Sequence, residues 1–157
     1  MKNIIFIDQT TYKDSLVGEQ LLHLVEDGIY IDGNWCCYTE DLIYDDIELN
    51  IALDNMVYLI NNYILAKRFQ NIIIGWKFDK EIIEKIIKHL NCQEHHVFNF
   101  ILTNTDLPTI DNFELMDKEY EKNYYQLDDK LIKVSKIDTT EISAFKIAYI
   151  ISKIIIR

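Results

Sequence analysis

The chain has 157 residues, enough for one domain with a sizeable core, and its 49% hydrophobic and 27% charged residues are the mix of a globular protein. A formal net charge of −10 argues against sequence-independent binding to nucleic acid or an anionic membrane, since both depend on basic patches. There is no charged-then-apolar leader, and Lys146 and Lys153 break the apolar C-terminal stretch below membrane-spanning length, so the expectation is a single cytoplasmic domain over residues 1–157.

Ile4 to Ile7 are four consecutive apolar residues without alternation, as expected of a strand covered on both faces. Ser15 then reads as the N-cap of a helix carrying Val17, Leu21, Leu24 and Val25 at helical spacing. Asp27-Gly28 signals a stop, Gly28 to Ile31 a short second strand, and Asp32 to Trp35 a turn with an aromatic tail. The longest helical pattern runs from about Tyr44 to Phe69. There Leu49, Leu53, Met56, Ile60 and Tyr63 are spaced by four, three, four and three, which makes one apolar face.

Asn71 to Trp76 is a third, mostly apolar strand. Asp79 is placed to cap the helix after it, with Phe78 and Ile83 as a hydrophobic staple and Lys85, Lys88 and His89 at its negative end. Val97 to Thr103 makes a fourth strand. Residues from about 104 to 130 hold the only proline, Pro108, and many acids, with a weaker helical pattern between Asn112 and Leu127. Leu131 to Ile137 is a fifth strand, and Thr139 or Thr140 caps a final helix with Ile142, Phe145, Ala148 and Tyr149. Strands that read as apolar runs and alternate with helices indicate an α/β three-layer sandwich, a parallel sheet with helices on both faces. Ligands in such folds sit beyond the carboxyl ends of the strands, here 8–15, 32–35, 75–78 and 104–108.

The first strand and helix, the DGNWCCY stretch of Asp32 to Tyr38, the helix containing DNMVYLINNYI, the strand NIIIGWKF and the ending KIDTTEIS fall in the order of a known group. The chain resembles the small bacterial P-loop kinase-like proteins, a group of nucleotide kinases and AAA-type ATPases. Asp32-Gly33-Asn34-Trp35-Cys36-Cys37 is similar to that group's Asp-Gly-Asp-Trp-Cys-Trp-like segment. The resemblance covers nearly the whole chain. It implies five parallel strands ordered 2-3-1-4-5, a lid at about 104–130, and ATP with Mg²⁺ acting on a nucleotide or small molecule.

The phosphate motif departs from the group. A G-x-x-x-x-G-K-[ST] loop needs glycines so that successive N–H groups turn inward, a lysine for the β/γ-phosphates and a hydroxyl for magnesium. In one register Asp8 or Gln9 replaces the first glycine, Lys13 the second and Asp14 the lysine, with Ser15 kept as hydroxyl; shifted by one, Lys13 serves as the lysine. Neither restores a glycine. Between 104 and 130 there is no arginine, and Lys118, Lys122 and Lys130 face eight acids. Cationic groups on the transferring phosphate supply much of the rate of phosphoryl transfer. Both departures count against efficient ATP-dependent transfer and leave two readings open, a kinase homologue with a degenerate loop or an inactive pseudo-kinase serving as an interaction module.

If the chain acts, Lys13 and Ser15 hold phosphate and Mg²⁺, and Asp32 is a metal ligand or the base toward a substrate hydroxyl. The plainer reading of Asp32 is a turn aspartate before glycine. Asn34, Trp35, Trp76 and Lys77 are the candidate substrate contacts, with Trp35 favoured as packing and Lys77 as a solvated cation. Cys92, His95, His96 and His89 offer zinc two ligands at matching spacing and no second half. Cys36, Cys37 and Cys92 read as free, inert thiols. A homodimer through the Tyr44–Phe69 helix is the partner expectation.

Overall fold

The computed structural model describes residues 1–8, 12–39, 45–91, 95–103, 124–127 and 130–155, of which 12–15, 124–127 and 130 by backbone alone. Its strands are β1 (Lys2–Asp8), β2 (Gly28–Asp32), β3 (Asn71–Trp76), β4 (His95–Thr103), β5 (Tyr124–Leu127) and β6 (Lys130–Asp138). The helices among these residues are α1 (Tyr12–Leu22), α2 (Asp46–Leu65), α3 (Lys80–Lys88) and α4 (Ala144–Ile155), with one 3₁₀ turn at Gly33–Trp35. The sheet order is β2-β3-β1-β4-β6-β5. Its five parallel strands, taken in chain order, run 2-3-1-4-5 as expected, and β5 is added antiparallel at the β6 edge.

Apolar runs make the inner strands β1, β3 and β4 because both faces are covered. Ile4, Phe6, Ile72 and Ile74 pack with Met56, Ile60, Ile83 and Ile86 of α2 and α3. The alternate residues Ile5, Ile7 and Ile73 pack with Val17 and Leu21 of α1 and Ile147 and Ile151 of α4. Truncating one of these fully buried isoleucines to alanine costs about 2–5 kcal/mol. The amino edge is closed by polar groups. The Asn3 amide donates to Asn71 Oδ1 at 2.8 Å, Asn71 Nδ2 donates to the Glu26 carbonyl at 2.7 Å, and Lys2 Nζ donates to the Phe69 carbonyl.

Helix ends follow their capping chemistry, and there the sequence expectations need correction. Asp45 caps α2 through Ile47 N at 2.9 Å and Glu48 N at 2.8 Å, while the Glu48 carboxylate accepts from Asp45 N at 3.0 Å. The helix stops at Leu65, four residues before Phe69, because Lys67 turns left-handed at φ 54° and Phe69 folds back edge-on to Tyr63. Asp79 caps α3 as expected, accepting from Ile82 N at 2.7 Å with Phe78 and Ile83 both buried. α1 begins at Tyr12, so Ser15 lies inside the helix rather than at its N-cap. In α4 Ser143 accepts from Lys146 N at 3.3 Å, whereas Thr139 instead bonds the Thr103 carbonyl at 2.9 Å.

The left-handed residue before β2 is Asp27, at φ 47°. The weak helical pattern expected between 112 and 127 ends in strand, since Tyr124–Leu127 is β5. The rest of the proposed lid, 104–123 and 128–129, lies outside the described residues, as does Cys92. His95 and His96 open β4, and no group of three or more His, Cys, Asp or Glu gathers among the described residues. None of the helices there is long and apolar enough to cross a membrane.

Candidate functional site

The carboxyl edge of the sheet is where this topology gathers chemistry. Its central strand, β1, ends at Asp8, registered beside Trp76 of β3 and Ile101 of β4. Asp8 is only 4% exposed, and its Oδ1 accepts a hydrogen bond from Phe78 N at 3.3 Å. A carboxylate taken from water must be hydrogen-bonded, and the backbone after β3 supplies a donor. The next helix starts at Tyr12, so only residues 9–11 separate strand from helix. Positions 12 and 13, which a phosphate-wrapping loop would curl inward, already have helical backbone.

Asp32 ends β2 beside Gly75. Its Oδ1 accepts from Asn34 N at 2.9 Å and so caps the 3₁₀ turn Gly33–Trp35. Gly33 is buried there because a Cβ would stand 2.5 Å from Cγ of Trp76. Trp76 itself is buried and meets Phe78 edge-on, which meets Phe6 in the same way. The Asp-Gly pair therefore has local causes: a cap, and room for a ring.

The same turn throws Trp35 outward. It is 75% exposed and stacks on Tyr38, itself 79% exposed, with centroids 5.5 Å apart. Packing, the reading favoured for Trp35 from sequence, is thus corrected. Asn34 and Lys77 are exposed, and Cys36 is buried with its carbonyl accepting from Asn55 Nδ2 at 2.7 Å. Burial first, then the charge of Asp32 and the neighbouring Cys37, pushes the Cys36 thiol up to about 11, which leaves it protonated and unreactive at neutral pH.

The structure brings Asp32, Asn34, Trp35 and Trp76 into one neighbourhood around β2 and β3, with Lys77 one residue beyond β3. Lys13 and Ser15 belong to α1, which follows β1 and packs on the opposite face of the sheet; their side chains lie outside what is described. β3 separates the ends of β1 and β2, a lateral distance of about 10 Å at normal strand spacing. The residue that sequence reasoning undervalued is Asp8. The one signal for it was an acid closing an apolar run.

No protein-family model matches the chain, and no curated protein matches it in sequence. Among solved structures it is similar to the tunicamycin resistance protein of Deinococcus radiodurans, with a TM-score of 0.57 and 13% identity over 99% of this chain and 96% of that one. At that identity the likeness is one of fold, and it agrees with the strand order: the chain has an α/β fold of the P-loop kinase-like kind.

Proposed function

We propose that this protein is a kinase-fold binding module whose phosphate loop has degenerated, a pseudo-kinase that keeps the crevice at the carboxyl edge of the sheet without ATP-dependent phosphoryl transfer. The observation that carries the reading is Asp8: a buried carboxylate, held by Phe78 N, at the strand end where a nucleotide's phosphates would be wrapped. An aspartate there puts a carboxyl side chain where the phosphate motif has a glycine that lets the backbone approach the phosphates. Mg²⁺ fits no better. It demands oxygens at about 2.0–2.1 Å, and β3 lies between β2, which Asp32 ends, and β1, which leads to the helix of Ser15. This separation counts against a shared Mg²⁺ site.

A second reading has one observation in its favour. α1 starts at the carboxyl edge with Lys13 in its first turn, and a helix N-terminus with a nearby cation attracts anions. In that reading Lys13 and Ser15 hold a phosphorylated small molecule, with Asp32 toward its hydroxyl and Asn34, Trp35, Trp76 and Lys77 around it. Incubation with Mg²⁺-ATP and a panel of nucleosides separates the two. The proposal expects no nucleotide-dependent phosphate transfer above buffer. Turnover lost in both Lys13→Ala and Asp32→Asn would overturn it and establish the second reading.

A further inference from the structure

α2 carries two apolar stripes, and the core accounts for one. Leu49, Met56 and Ile60 face the sheet. Ile47, Ile51, Tyr58 and Leu65 are 69%, 47%, 67% and 66% exposed. At 100° per residue these four fall within about 40° of one another and about 180° from Met56. Exposed apolar residues scattered singly are ordinary, but an aligned row marks a contact surface. The Trp35–Tyr38 stack extends it. That turn is tied to α2 through Asn55 and Cys36, and Asn55 neighbours Ile51 on the helix surface.

The charges at the two ends of the row select its occupant. Asp45, Asp46 and Glu48 stand at the N-terminal end, and Lys67 and Arg68 follow the C-terminal end. In a chain of net charge −10, a second copy of the same helix is a partner that brings cations to those acids without further assumption. We infer that the outward face of α2 is a homodimer interface in which two copies pair antiparallel about a two-fold axis that crosses this face between Asp54 and Tyr58. In that register Ile47 meets the second copy's Leu65, Tyr58 meets its Asp54, and Asp45 meets its Lys67. Each contact occurs twice, as an isologous interface requires. The tyrosine hydroxyl can donate to the opposing Asp54 carboxylate. Parallel pairing would set acids against acids and align the helix dipoles, both unfavourable.

The strength follows from the size. A 20-residue helix is about 30 Å long, and one helix face buries on the order of 600 Å² per copy, below the roughly 800 Å² of a standard stable interface. The association is therefore weak and concentration-dependent. The inference is independent of whether the carboxyl edge binds a ligand.

Sedimentation velocity on the full chain from about 1 to 300 μM tests it, with circular dichroism and melting temperature confirming that each variant folds. The expected result is a reversible shift from the 18.7 kDa monomer to twice that mass. Tyr58→Glu, at an exposed position, should weaken dimerisation more than tenfold. Lys67→Glu should also weaken it, and adding Asp45→Lys to that variant, which reinstates the opposite-charge pair at the cost of the α2 cap, should restore it. A wild-type chain that stays monomeric at 300 μM overturns the inference. So does a dimer indifferent to Tyr58→Glu, or one that the double charge exchange fails to restore.

Discussion

Replacing Gly33 with alanine asks whether the Asp32-Gly33 turn is held by packing. Gly33 has no positive φ, so alanine is conformationally allowed. By backbone entropy alone the change would stabilise the protein by about 0.4–1 kcal/mol. The structure reverses that sign. The added Cβ would lie 2.5 Å from Cγ, 2.6 Å from Cβ and 2.9 Å from Cδ1 of Trp76, each about 1 Å inside ordinary carbon contact. The ring cannot simply swing clear, since it is buried and set against Phe78. Overpacking of this kind costs about 1–3 kcal/mol, which for a chain of this length lowers the melting temperature by about 3–10 °C. Thermal and urea unfolding would measure it. In a Trp76→Leu background the same substitution should cost at least about 1 kcal/mol less, the coupling expected of residues in direct contact. A Gly33→Ala variant as stable as wild type, or more so, would refute the packing account of the turn.

Other outcomes follow from single groups. Cys36 should resist iodoacetamide at pH 8 while Cys37 is labelled, as peptide mass spectrometry would show; equal labelling would contradict the raised thiol pKa. Because the folded Cys36 keeps its proton to about pH 11 and the unfolded one releases it near 9.0, the native state binds more protons in that window. Stability should therefore fall as pH rises from about 9 to 11, and this component should vanish in Cys36→Ala. Asp45→Ala removes two N–H partners and one side of the capping box of α2, and should cost about 0.5–2 kcal/mol by denaturant unfolding. Gly18→Val should be severely destabilising, since even a Cβ at Gly18 meets the Tyr30 ring at 2.3 Å.

The inner strands β1, β3 and β4 could be read from sequence because each is covered on both faces and so announces itself as an apolar run; Asn71–Trp76 matches its predicted bounds. α3 was legible through Asp79 and Phe78 for the same local reason. β5 was not, because an edge strand paired on one side needs no such run, and Tyr124-Tyr125-Gln126-Leu127 suits a helix equally well. The start of α1 was misread because Ser15 has the chemistry of a cap, yet helical backbone already begins at Tyr12. At the candidate site, Asp32 stood out as an acid closing a strand. What it does there, capping Asn34 N and leaving room for Trp76 above Gly33, depends on a neighbour 44 residues away. Asp8 shows the converse. A hydrogen-bond donor to its buried carboxyl group, Phe78 N, comes from a segment 70 residues away.

The central claim is that the chain keeps a kinase-like fold without a phosphate cradle, and thermal unfolding across a Mg²⁺-ATP titration into the millimolar range tests it most directly. A ligand bound only by the folded state stabilises it by RT ln(1 + [L]/Kd), about 2.7 kcal/mol at a hundredfold excess over Kd. For this chain length that is a rise of about 5–10 °C. The account predicts a melting temperature unchanged by Mg²⁺-ATP at every concentration, for wild type and Lys13→Ala alike. A saturating, magnesium-dependent rise that Lys13→Ala abolishes would contradict it.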